Sequence, residues 1–460
     1  MLDNLRLRED GLPRYRALAA ELEARIRDGR LPPGFRLPPQ RHLSYDLDVT
    51  IGTVGRAYEL LVQRGLVRGE VGRGTYVLDP AASVTQLGMF ANDSEPAAID
   101  LSTNNPVPTA ACEELRQLLT DLLNSDGVDR LLASYPPAAG WLAGRRHAGQ
   151  WLAHIGVQRP AEQIVISAGA QGGLAASVAA TARPGDGLLL ESLTYPRFAT
   201  LARTFGLRPE GVAIDERGMV PEALDAACRQ GRGRVVILSS SMNNPTTAMM
   251  DEDRRREIAS VAERRDLILI EDDVYGPLVP ERPAPIAELA PDRTIYIASL
   301  SKFLAPGQRL GVIAAPARLI PAISQRHADL TLGAAGLTVE LLNSAQSSGL
   351  LLRAEKLQRK AIARRQAIVR PILGHGRIES RPEALHVWLA LPPGLDTDEL
   401  CLRLAGDGIR IAASREFATT QDRPQAVRIS IGGSIGDDAL ANVTARIDRA
   451  LTLPSAGSAI

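Results

Sequence analysis

Six short apolar runs, separated by segments long enough for helices, mark the sequence between about Asp100 and Ala315. Runs that are apolar throughout, without polar alternation, are typical of strands buried on both faces of a parallel sheet. They therefore predict an α/β fold with a mainly parallel sheet that helices cover on both faces. The runs are IVIS (164–167), GLLLE (187–191), RVVILS (234–239), LILIED (267–272), TIYIAS (294–299) and GVIAA (311–315).

The sequence on either side of these runs has a different character. Towards the C-terminus, long helical stretches surround two further strand candidates, His386 to Leu391 and Ala426 to Ile431, which predicts a small α+β part. Before the runs, small and polar residues without a period predict a linker. The predicted divisions are a first domain at 1–78, a linker at 79–99, and a domain at 100–460 with a large part (100–316) and a small part (317–460).

The first of these domains has helical periodicity followed by a hairpin pattern. Three helices are predicted before residue 65, and the third begins at Ile51 with Thr50 as its N-cap. The stretch from Gly65 to Val77 predicts two short strands around a glycine-rich tip that carries Arg73. This order of elements is a winged helix-turn-helix pattern.

The stretch PPGFRLPPQRHLSYDLDVTIGTVGRAYELLVQRGLV, followed by GRGTYV, resembles the DNA-binding domain of GntR-type bacterial regulators. The resemblance implies that Arg36 and Arg41 lie near DNA phosphates. It also implies that Thr50 and Thr53, at the start of the third helix, enter the major groove and that Arg73 approaches the minor groove. Arginine side chains suit phosphate contacts, and a helix fits the major groove.

One position departs from that pattern. GntR-type domains often have Ser-Arg or Thr-Arg at the start of the recognition helix, whereas this chain has Thr50-Ile51, so its base preference stays open. Residues 1–80 carry only thirteen arginines against eleven acidic residues, and the whole chain has a net charge of +0, so we expect DNA binding to depend on dimerisation. The alternative is a small helical domain used only for dimer contacts.

Polar residues follow three of the apolar runs. Asn244 follows RVVILS, Asp272 ends LILIED with Tyr275 three residues on, and Lys302 follows TIYIAS. Ligands of parallel sheets bind beyond the carboxyl ends of the strands. Lys302 stands out because the chain has only three lysines among its 53 basic residues. A lysine at a desolvated strand end is the residue type that forms a Schiff base with an aldehyde cofactor.

Pyridoxal phosphate requires particular neighbours, and the sequence offers each of them. Asp272 suits the pyridine nitrogen, with Asp273 as the alternative if the strand is rotated by one residue. Asn244 and Tyr275 suit the phenolic oxygen, and Tyr195, after GLLLE, can stack on the ring. Backbone amides at a helix start after IVIS and side chains around the lysine suit the phosphate. The residues predicted to hold the phosphate are Gly169, Ala170, Gln171, Ser299, Ser301 and Arg309.

Residues from about 100 to 450 resemble a fold-type I pyridoxal-phosphate aminotransferase. The motifs SYPPAAGWLAGRRHAGQWL, VISAGAQGGL, SSSMNNPTT, IEDDVYGPL, SLSKFLAPGQRLG and AVRISIGG carry the resemblance. It implies that Lys302 is the Schiff-base lysine and that Tyr135 reaches the phosphate of a neighbouring subunit. It also implies that Arg428 binds the α-carboxylate of an amino ligand, a role that suits a bidentate guanidinium. Alternatively, Arg428 forms an ordinary ion pair at the edge of the sheet. Arg197 is either a second carboxylate-binding residue or a surface arginine.

A GntR-type domain joined to an aminotransferase-like domain resembles the MocR subfamily of bacterial transcription regulators. The resemblance implies a head-to-tail homodimer that binds DNA and senses pyridoxal phosphate on Lys302, or an amino acid or amine effector. One alternative is an active aminotransferase that carries a fused DNA-binding module. Another is a DNA-binding scaffold without a Schiff base, against which the intact lysine site argues.

Composition limits where the protein acts. No apolar run reaches the roughly 20 residues that a membrane-spanning helix needs, so we expect no membrane partner. The first residues, MLDNLRLRED, lack the apolar core of a signal peptide, and we expect a cytoplasmic protein. The three cysteines are far apart and show no CxxC spacing, and no metal site is predicted.

Overall fold

The computed structural model describes residues 13–27, 30–32, 34–63, 66–70, 74–77 and 99–452. The chain divides into two compact units, one formed by residues 1–95 with 456–460 and the other by residues 96–455. Arg73, at the predicted tip, and residues 79–98 of the predicted linker lie outside the described residues.

The first unit has the predicted winged helix-turn-helix fold. Leu18 and Leu22 of the first helix and Val54 and Leu61 of the third are buried, so the apolar faces of these helices form its core. A third strand, Arg36–Leu37, was not predicted, because two residues are too few to show an alternating pattern. Its elements are α1 (Arg14–Arg27), β1 (Arg36–Leu37), α2 (Gln40–Asp46), α3 (Ile51–Gln63), β2 (Val67–Glu70) and β3 (Gly74–Val77), with an antiparallel sheet in the order β1-β3-β2.

The second unit is built on a seven-stranded sheet that contains all six apolar runs. Its strands are β5 (Ile164–Ala168), β6 (Gly187–Glu191), β7 (Arg208–Val212), β10 (Val235–Leu238), β11 (Ile268–Asp272), β12 (Thr294–Ser299) and β13 (Leu310–Ala314). They lie in the order β5-β13-β12-β11-β10-β6-β7, and β13 is antiparallel to both of its neighbours. The sheet is therefore mainly parallel, as predicted, with one reversed strand.

Side chains on the two faces of this sheet enter different parts of the core. Ile166 and Val312 pack in one cluster of buried residues, whereas Val165 and Ile313, their neighbours in sequence, pack in another. Both faces are therefore covered, which explains why these strands are apolar throughout. The helices before and between these strands are α4 (Ala111–Leu123), α5 (Val128–Ala133), α6 (Leu142–His154), α7 (Gly169–Thr181), α8 (Pro196–Thr204), α9 (Pro221–Arg229), α10 (Glu252–Arg264) and α11 (Ile286–Leu289).

The C-terminal part contains both strands predicted there. His386–Ala390 and Ala426–Ser430 pair antiparallel at the centre of a four-stranded sheet. The elements from residue 320 onwards are α12 (Ile320–Thr331), α13 (Gly336–Ser347), α14 (Leu350–Ile372), β14 (Arg377–Ile378), β15 (His386–Ala390), α15 (Thr397–Gly406), β16 (Ile409–Arg410), β17 (Ala412–Ala413), β18 (Ala426–Ser430) and α16 (Asp437–Thr452).

The first described residues of the second unit join this C-terminal part. Strand β4 (Ile99–Asp100) pairs in parallel with β16, and Ile99 lies opposite Ile409. The two remaining short strands, β8 (Ile214–Asp215) and β9 (Gly218–Met219), form a hairpin. Among the described residues, no helix has the length and apolar character needed to cross a bilayer.

Candidate cofactor and ligand site at the strand ends

Lys302 lies directly after β12, in a single turn of 3-10 helix formed by Leu300–Lys302. Its Nζ donates a hydrogen bond to the backbone oxygen of Asn104 at 2.8 Å and lies 5.6 Å from the centre of the Tyr275 ring. Burial lowers the pKa of Lys302, while the charges of Tyr195 and Asp272 oppose that shift. A lysine with a lowered pKa has more neutral amine, which is the form that attacks an aldehyde.

The two acids at the end of β11 have different surroundings. Asp272 is buried, which raises its pKa to about 6, and the charge of Lys302 acts on it in the opposite direction. The carboxylate of Asp273 is instead bound by Arg282 and accepts a hydrogen bond from the Tyr296 hydroxyl at 2.7 Å. Both contacts are to Oδ2 of Asp273, which favours Asp272 for the pyridine nitrogen, and the assignment between the two acids stays a prediction.

Tyr275 is buried beside two residues that the sequence did not single out, Asn104 and His386. The Asn104 amide donates one hydrogen bond to the Tyr275 hydroxyl at 3.0 Å and lies 2.8 Å from Nδ1 of His386. Nε2 of His386 lies 2.9 Å from the backbone oxygen of Pro245. Burial and the charge of Arg428 lower the pKa of His386 to about 3, so its ring is neutral. With Nε2 protonated towards Pro245, Nδ1 accepts from Asn104.

Arg428 projects from β18 into the same region and is buried. Its Nη1 donates to Oδ1 of Asn244 at 2.8 Å, and its Nη2 donates to the backbone oxygen of Ser102. Its guanidinium lies 4.9 Å from the centre of the Phe417 ring. Among the described residues its Nε has no partner, and no carboxylate forms an ion pair with it. The ordinary ion pair considered as an alternative is absent from this arrangement.

The first residues of α7, Gly169–Gln171, and Arg309 form a candidate anion-binding site, which we call the anion cradle. Gly169 has a φ of +73°, and a Cβ at this position would lie 2.7 Å from Nη2 of Arg309. A Cβ at Gly311 would lie 2.7 Å from the backbone nitrogen of Ala170. Helix α7 starts at Gly169 without a side-chain cap, so its first amide groups, Gln171 included, are available to an anion. Free amides at a helix start and a guanidinium beside them fit a phosphate group.

The two serines before the lysine bond to one another. The Ser299 hydroxyl lies 2.9 Å from the Ser301 hydroxyl and 2.9 Å from the backbone oxygen of Leu310, and it accepts from the Ser301 backbone amide at 3.2 Å. These contacts fix the turn that carries Lys302. A role of either hydroxyl at a phosphate stays a prediction.

The remaining predicted residues lie on different parts of the second unit. Tyr195 is half-buried at the start of α8 and meets Phe198 edge to face with ring centres 5.5 Å apart. Arg197 lies half-buried in the first turn of the same helix. Tyr135 is 82% exposed, so it does not line the buried site of its own chain.

Sequence reasoning missed three residues of this site: Asn104, His386 and Glu191. Glu191 ends β6, and its Oε2 accepts hydrogen bonds from Asn243, from Thr194 and from the backbone of Ser239. Burial nevertheless raises its pKa to about 8. The sequence signal for His386 and Glu191 was a polar side chain within an otherwise apolar strand.

The residues predicted to contact DNA lie in the first unit. Arg36 and Arg41 are exposed. The Thr53 amide donates to the Thr50 hydroxyl at 3.1 Å, and the two hydroxyls lie 2.9 Å apart. Thr50 is therefore the N-cap of α3, as predicted. Ile51, which stands where the family often has arginine, is 48% exposed.

Each of the two units matches a known protein family. Residues 96–447 match the model of aminotransferase class I and II, and residues 14–77 match that of the bacterial regulatory proteins of the gntR family. This chain belongs to the aminotransferase class I and II family. Its additional gntR-family domain implies DNA binding, and the two matches are consistent with the MocR resemblance of the sequence.

Relatives with the same two parts carry regulator names. This chain is 31% identical over 426 residues to the uncharacterised HTH-type transcriptional regulator YdeF of Bacillus subtilis, covering 91% of this chain and 90% of YdeF. It is 27% identical to the HTH-type pyridoxine biosynthesis transcriptional regulator PdxR of Corynebacterium glutamicum, covering 95% of each chain.

Solved structures show the fold of the second unit. The α-aminoadipate aminotransferase LysN of Thermus thermophilus, in complex with N-(5'-phosphopyridoxyl)-L-leucine, matches 77% of this chain and 92% of its own, with a TM-score of 0.69 and 23% identity. The family match and this fold support pyridoxal phosphate as the cofactor.

Proposed function

We propose that this protein is a DNA-binding transcription regulator whose second unit senses pyridoxal phosphate, alone or together with an amino acid or amine. One observation carries the proposal. A half-buried lysine with a lowered pKa, an acid with a raised pKa and an anion cradle come together in a unit that follows a gntR-family domain in the same chain. The regulator names of relatives that match over nearly the whole chain support it.

Each residue of the site has a definite task in this proposal. Pyridoxal phosphate, when bound, supplies an aldehyde that attaches to an amine and a ring that withdraws electrons. Lys302 provides the amine, and Asp272 holds a proton at the ring nitrogen. Asn244 and Tyr275 bind the phenolic oxygen, and Tyr195 covers the ring. The phosphate is bound by Arg309 and by the amides of Gly169, Ala170 and Gln171, with Ser299 and Ser301 beside them.

Arg428 is the proposed contact for an effector carboxylate. It is buried and has no carboxylate partner among the described residues. Its Nε is a hydrogen-bond donor that has no acceptor among those residues. Arg197, half-buried near Tyr195, is the second candidate. The effector class is therefore an amino compound that bears a carboxylate.

The proposed assembly is a head-to-tail homodimer in the cytoplasm that binds DNA. In this assembly Tyr135 contacts the phosphate in the neighbouring subunit's site, and Arg36, Arg41, Thr50, Thr53 and Arg73 contact DNA. Ligand controls DNA binding only if its affinity differs between two states of the protein.

The proposal is tested by measuring DNA binding of the purified protein to the region upstream of its own gene. Titrations at several stated salt concentrations are needed, because phosphate contacts dominate affinity. We expect specific binding that changes when pyridoxal phosphate or one member of an amino-acid panel is added. Lys302→Ala should keep DNA binding and lose this response. Specific binding without any ligand response would contradict the sensing part of the proposal.

Attachment of the cofactor to Lys302 is checked in the same preparation. Reduction with borohydride should fix the cofactor to one lysine, which peptide mass spectrometry identifies. Lys356 and Lys360 are the matched controls, because they are exposed on α14 and are the chain's other lysines. Label on either of these two, and none on Lys302, would remove the proposed sensor.

An active aminotransferase is the second candidate function. The observation that favours it is the presence of half-buried Lys302 in one region with buried Asp272, Tyr275 and Arg428. Sustained amino-group transfer that depends on a keto acid would support this function. A single half-reaction without turnover would favour the regulator.

A further inference from the structure

The residues that follow the predicted linker pass directly through the candidate site. We call Asp100–Asn105 the entry segment. The Leu101 amide donates to the backbone oxygen of Arg410 at 2.8 Å, and the Ser430 amide donates to the backbone oxygen of Leu101 at 2.8 Å. The segment is therefore attached at one end to the C-terminal part of the unit.

Two carbonyl groups of the entry segment are bound to the two most important cations of the site. The backbone oxygen of Asn104 accepts from Nζ of Lys302 at 2.8 Å, and the backbone oxygen of Ser102 accepts from Nη2 of Arg428. Lys302 is the proposed attachment point of the cofactor, and Arg428 is the proposed contact of an effector carboxylate. The segment thus uses the groups that both ligands need.

The side chain of Asn104 adds a third connection. Its amide nitrogen has two hydrogens, and the structure places one partner for each, the Tyr275 hydroxyl at 3.0 Å and Nδ1 of His386 at 2.8 Å. Its Oδ1 is buried and has no partner among the described residues. A buried acceptor without a hydrogen-bond partner makes this arrangement of the segment less stable. A second arrangement of the segment can therefore compete with it.

We propose that the entry segment reports ligand occupancy to the linker: cofactor attached to Lys302 and a carboxylate bound to Arg428 each displace one of its carbonyl groups and loosen it. This inference rests on the proposed function and specifies how the site controls it. Attachment of the cofactor would use the free amino group of Lys302 that donates to the backbone oxygen of Asn104. A carboxylate displaces the Ser102 oxygen from Arg428, because hydrogen bonds between two charged groups are stronger than those to a neutral carbonyl.

Residue order explains why loosening of this segment matters for DNA binding. Ile99 and Asp100 form β4, and the residues before them connect the unit in sequence to the gntR-family domain. A carbonyl–cation hydrogen bond has a small net stability, so ligand binding can shift the segment between states. The linker is the covalent path by which such a shift reaches the first unit.

Hydrogen–deuterium exchange of the full-length protein tests the first half of this proposal. Peptides that span residues 99–106 are followed in cofactor-free protein, with pyridoxal phosphate, and with pyridoxal phosphate plus each of a panel of amino acids. We expect exchange in this segment to become at least about threefold faster with cofactor, and faster again with an amino acid that binds. Unchanged or slower exchange at full cofactor occupancy, judged by absorbance, would overturn the proposal.

A variant pair tests whether the segment transmits the signal. Asn104→Ala removes the bridge between Tyr275 and His386 but keeps the backbone, and Asn105→Ala is the matched control because Asn105 is exposed in the same segment. With both variants saturated with cofactor, we expect the ligand-dependent change in DNA affinity to fall at least about fivefold in Asn104→Ala, because two side-chain hydrogen bonds are lost. Asn105→Ala should respond as the unmodified protein does.

The two proposals fail in different ways. If the unmodified protein responds to ligand and Asn104→Ala responds equally, the entry segment is not the reporter, while the regulator function stands. If the unmodified protein binds no DNA specifically, the regulator function fails. The exchange experiment then decides separately whether ligands loosen the segment.

Discussion

At the scale of single residues, burial sets the protonation of the site. It lowers the pKa of Lys302, raises the pKa of Asp272 to about 6 and raises the pKa of Glu191 to about 8. In each case the desolvated charged form is disfavoured, and neighbouring hydrogen bonds or charges only partly oppose this. The site therefore has two acids, Asp272 and Glu191, whose protonation responds to pH near neutrality before any ligand binds.

Glu191 gives a pH prediction for stability. Its pKa in the folded protein, about 8, is above its ordinary value of 4.5, so between these values the folded state binds the proton more tightly. Its contribution to stability is present below about pH 4.5 and is lost as pH rises towards 8, at no more than about 1.4 kcal/mol per pH unit. Glu191→Gln should remove this loss and stabilise the protein at pH 8 relative to the unmodified chain.

The measurement is urea unfolding of cofactor-free protein at pH 6, 7 and 8, followed by tryptophan fluorescence. All three tryptophans, Trp141, Trp151 and Trp388, lie in the second unit, so the signal reports that unit alone. Equal loss of stability in both proteins as pH rises would show that Glu191 is ionised in the fold.

At the scale of elements, strand ends and helix starts build the site, and these were largely predictable. Lys302, Asp272 and Asn244 could be assigned because continuous apolar runs end directly before them. The reversed direction of β13 was not predictable, since an apolar run looks the same in either direction. Strand β7 was missed because its residues, RPEGV, are partly exposed at the edge of the sheet and carry no apolar run.

Asn104 and His386 show the limit of such reasoning. Asn104 belongs to no strand or helix, and His386 comes from the C-terminal part, so only tertiary contacts bring them together. Neither residue has a local pattern that predicts a partner far away in the sequence. Asp272 is favoured over Asp273 only through the partners of Asp273.

The start of α7 gives a prediction about cofactor affinity. Gly169→Ala introduces a Cβ at a φ of +73° and 2.7 Å from the Arg309 guanidinium, so it should weaken binding of pyridoxal phosphate roughly tenfold. Binding of pyridoxal, which lacks the phosphate, should change little. Titration by absorbance measures both.

Gly172→Ala is the matched control, because it lies in the same helix and its new Cβ would meet its nearest neighbour, the Ala168 Cβ, at an ordinary 3.4 Å. Equal weakening of both ligands by Gly169→Ala would show that this turn supports the fold and does not select the phosphate.

At the scale of the whole molecule, exposed apolar side chains point to contact with another copy. Leu132, Tyr135 and Leu332 are 64%, 82% and 65% exposed. A Cβ at Gly333 would lie 2.7 Å from Pro136, so Leu332 and Tyr135 are on neighbouring surface. Clustered exposed apolar residues mark interaction sites, and a winged helix of low net charge gains affinity when two copies bind two half-sites.

Mixed dimers test the proposal that Tyr135 contacts the cofactor phosphate in the neighbouring subunit's site. Tyr135→Phe should weaken pyridoxal phosphate binding roughly tenfold by removing one hydrogen bond to a charged group, and Lys302→Ala should abolish attachment. Coexpression of the two variants with different tags gives a mixed dimer. If Tyr135 acts across the interface, this dimer has one intact site and should bind one cofactor with normal affinity. If Tyr135 acts at its own chain's site, the mixed dimer instead has one weakened site and one that cannot attach the cofactor. Normal binding by the Tyr135→Phe homodimer would show that Tyr135 acts at neither site.

The pairing of β4 with β16 also sets an order of events during synthesis. These two strands stand at opposite ends of the second unit's sequence, so β4 has no partner until residues 409–410 have left the ribosome. The gntR-family domain, made first, can fold long before that moment, because domains generally fold as units from the N-terminus. A newly made chain therefore holds a complete gntR-family domain while the aminotransferase-family unit is still incomplete.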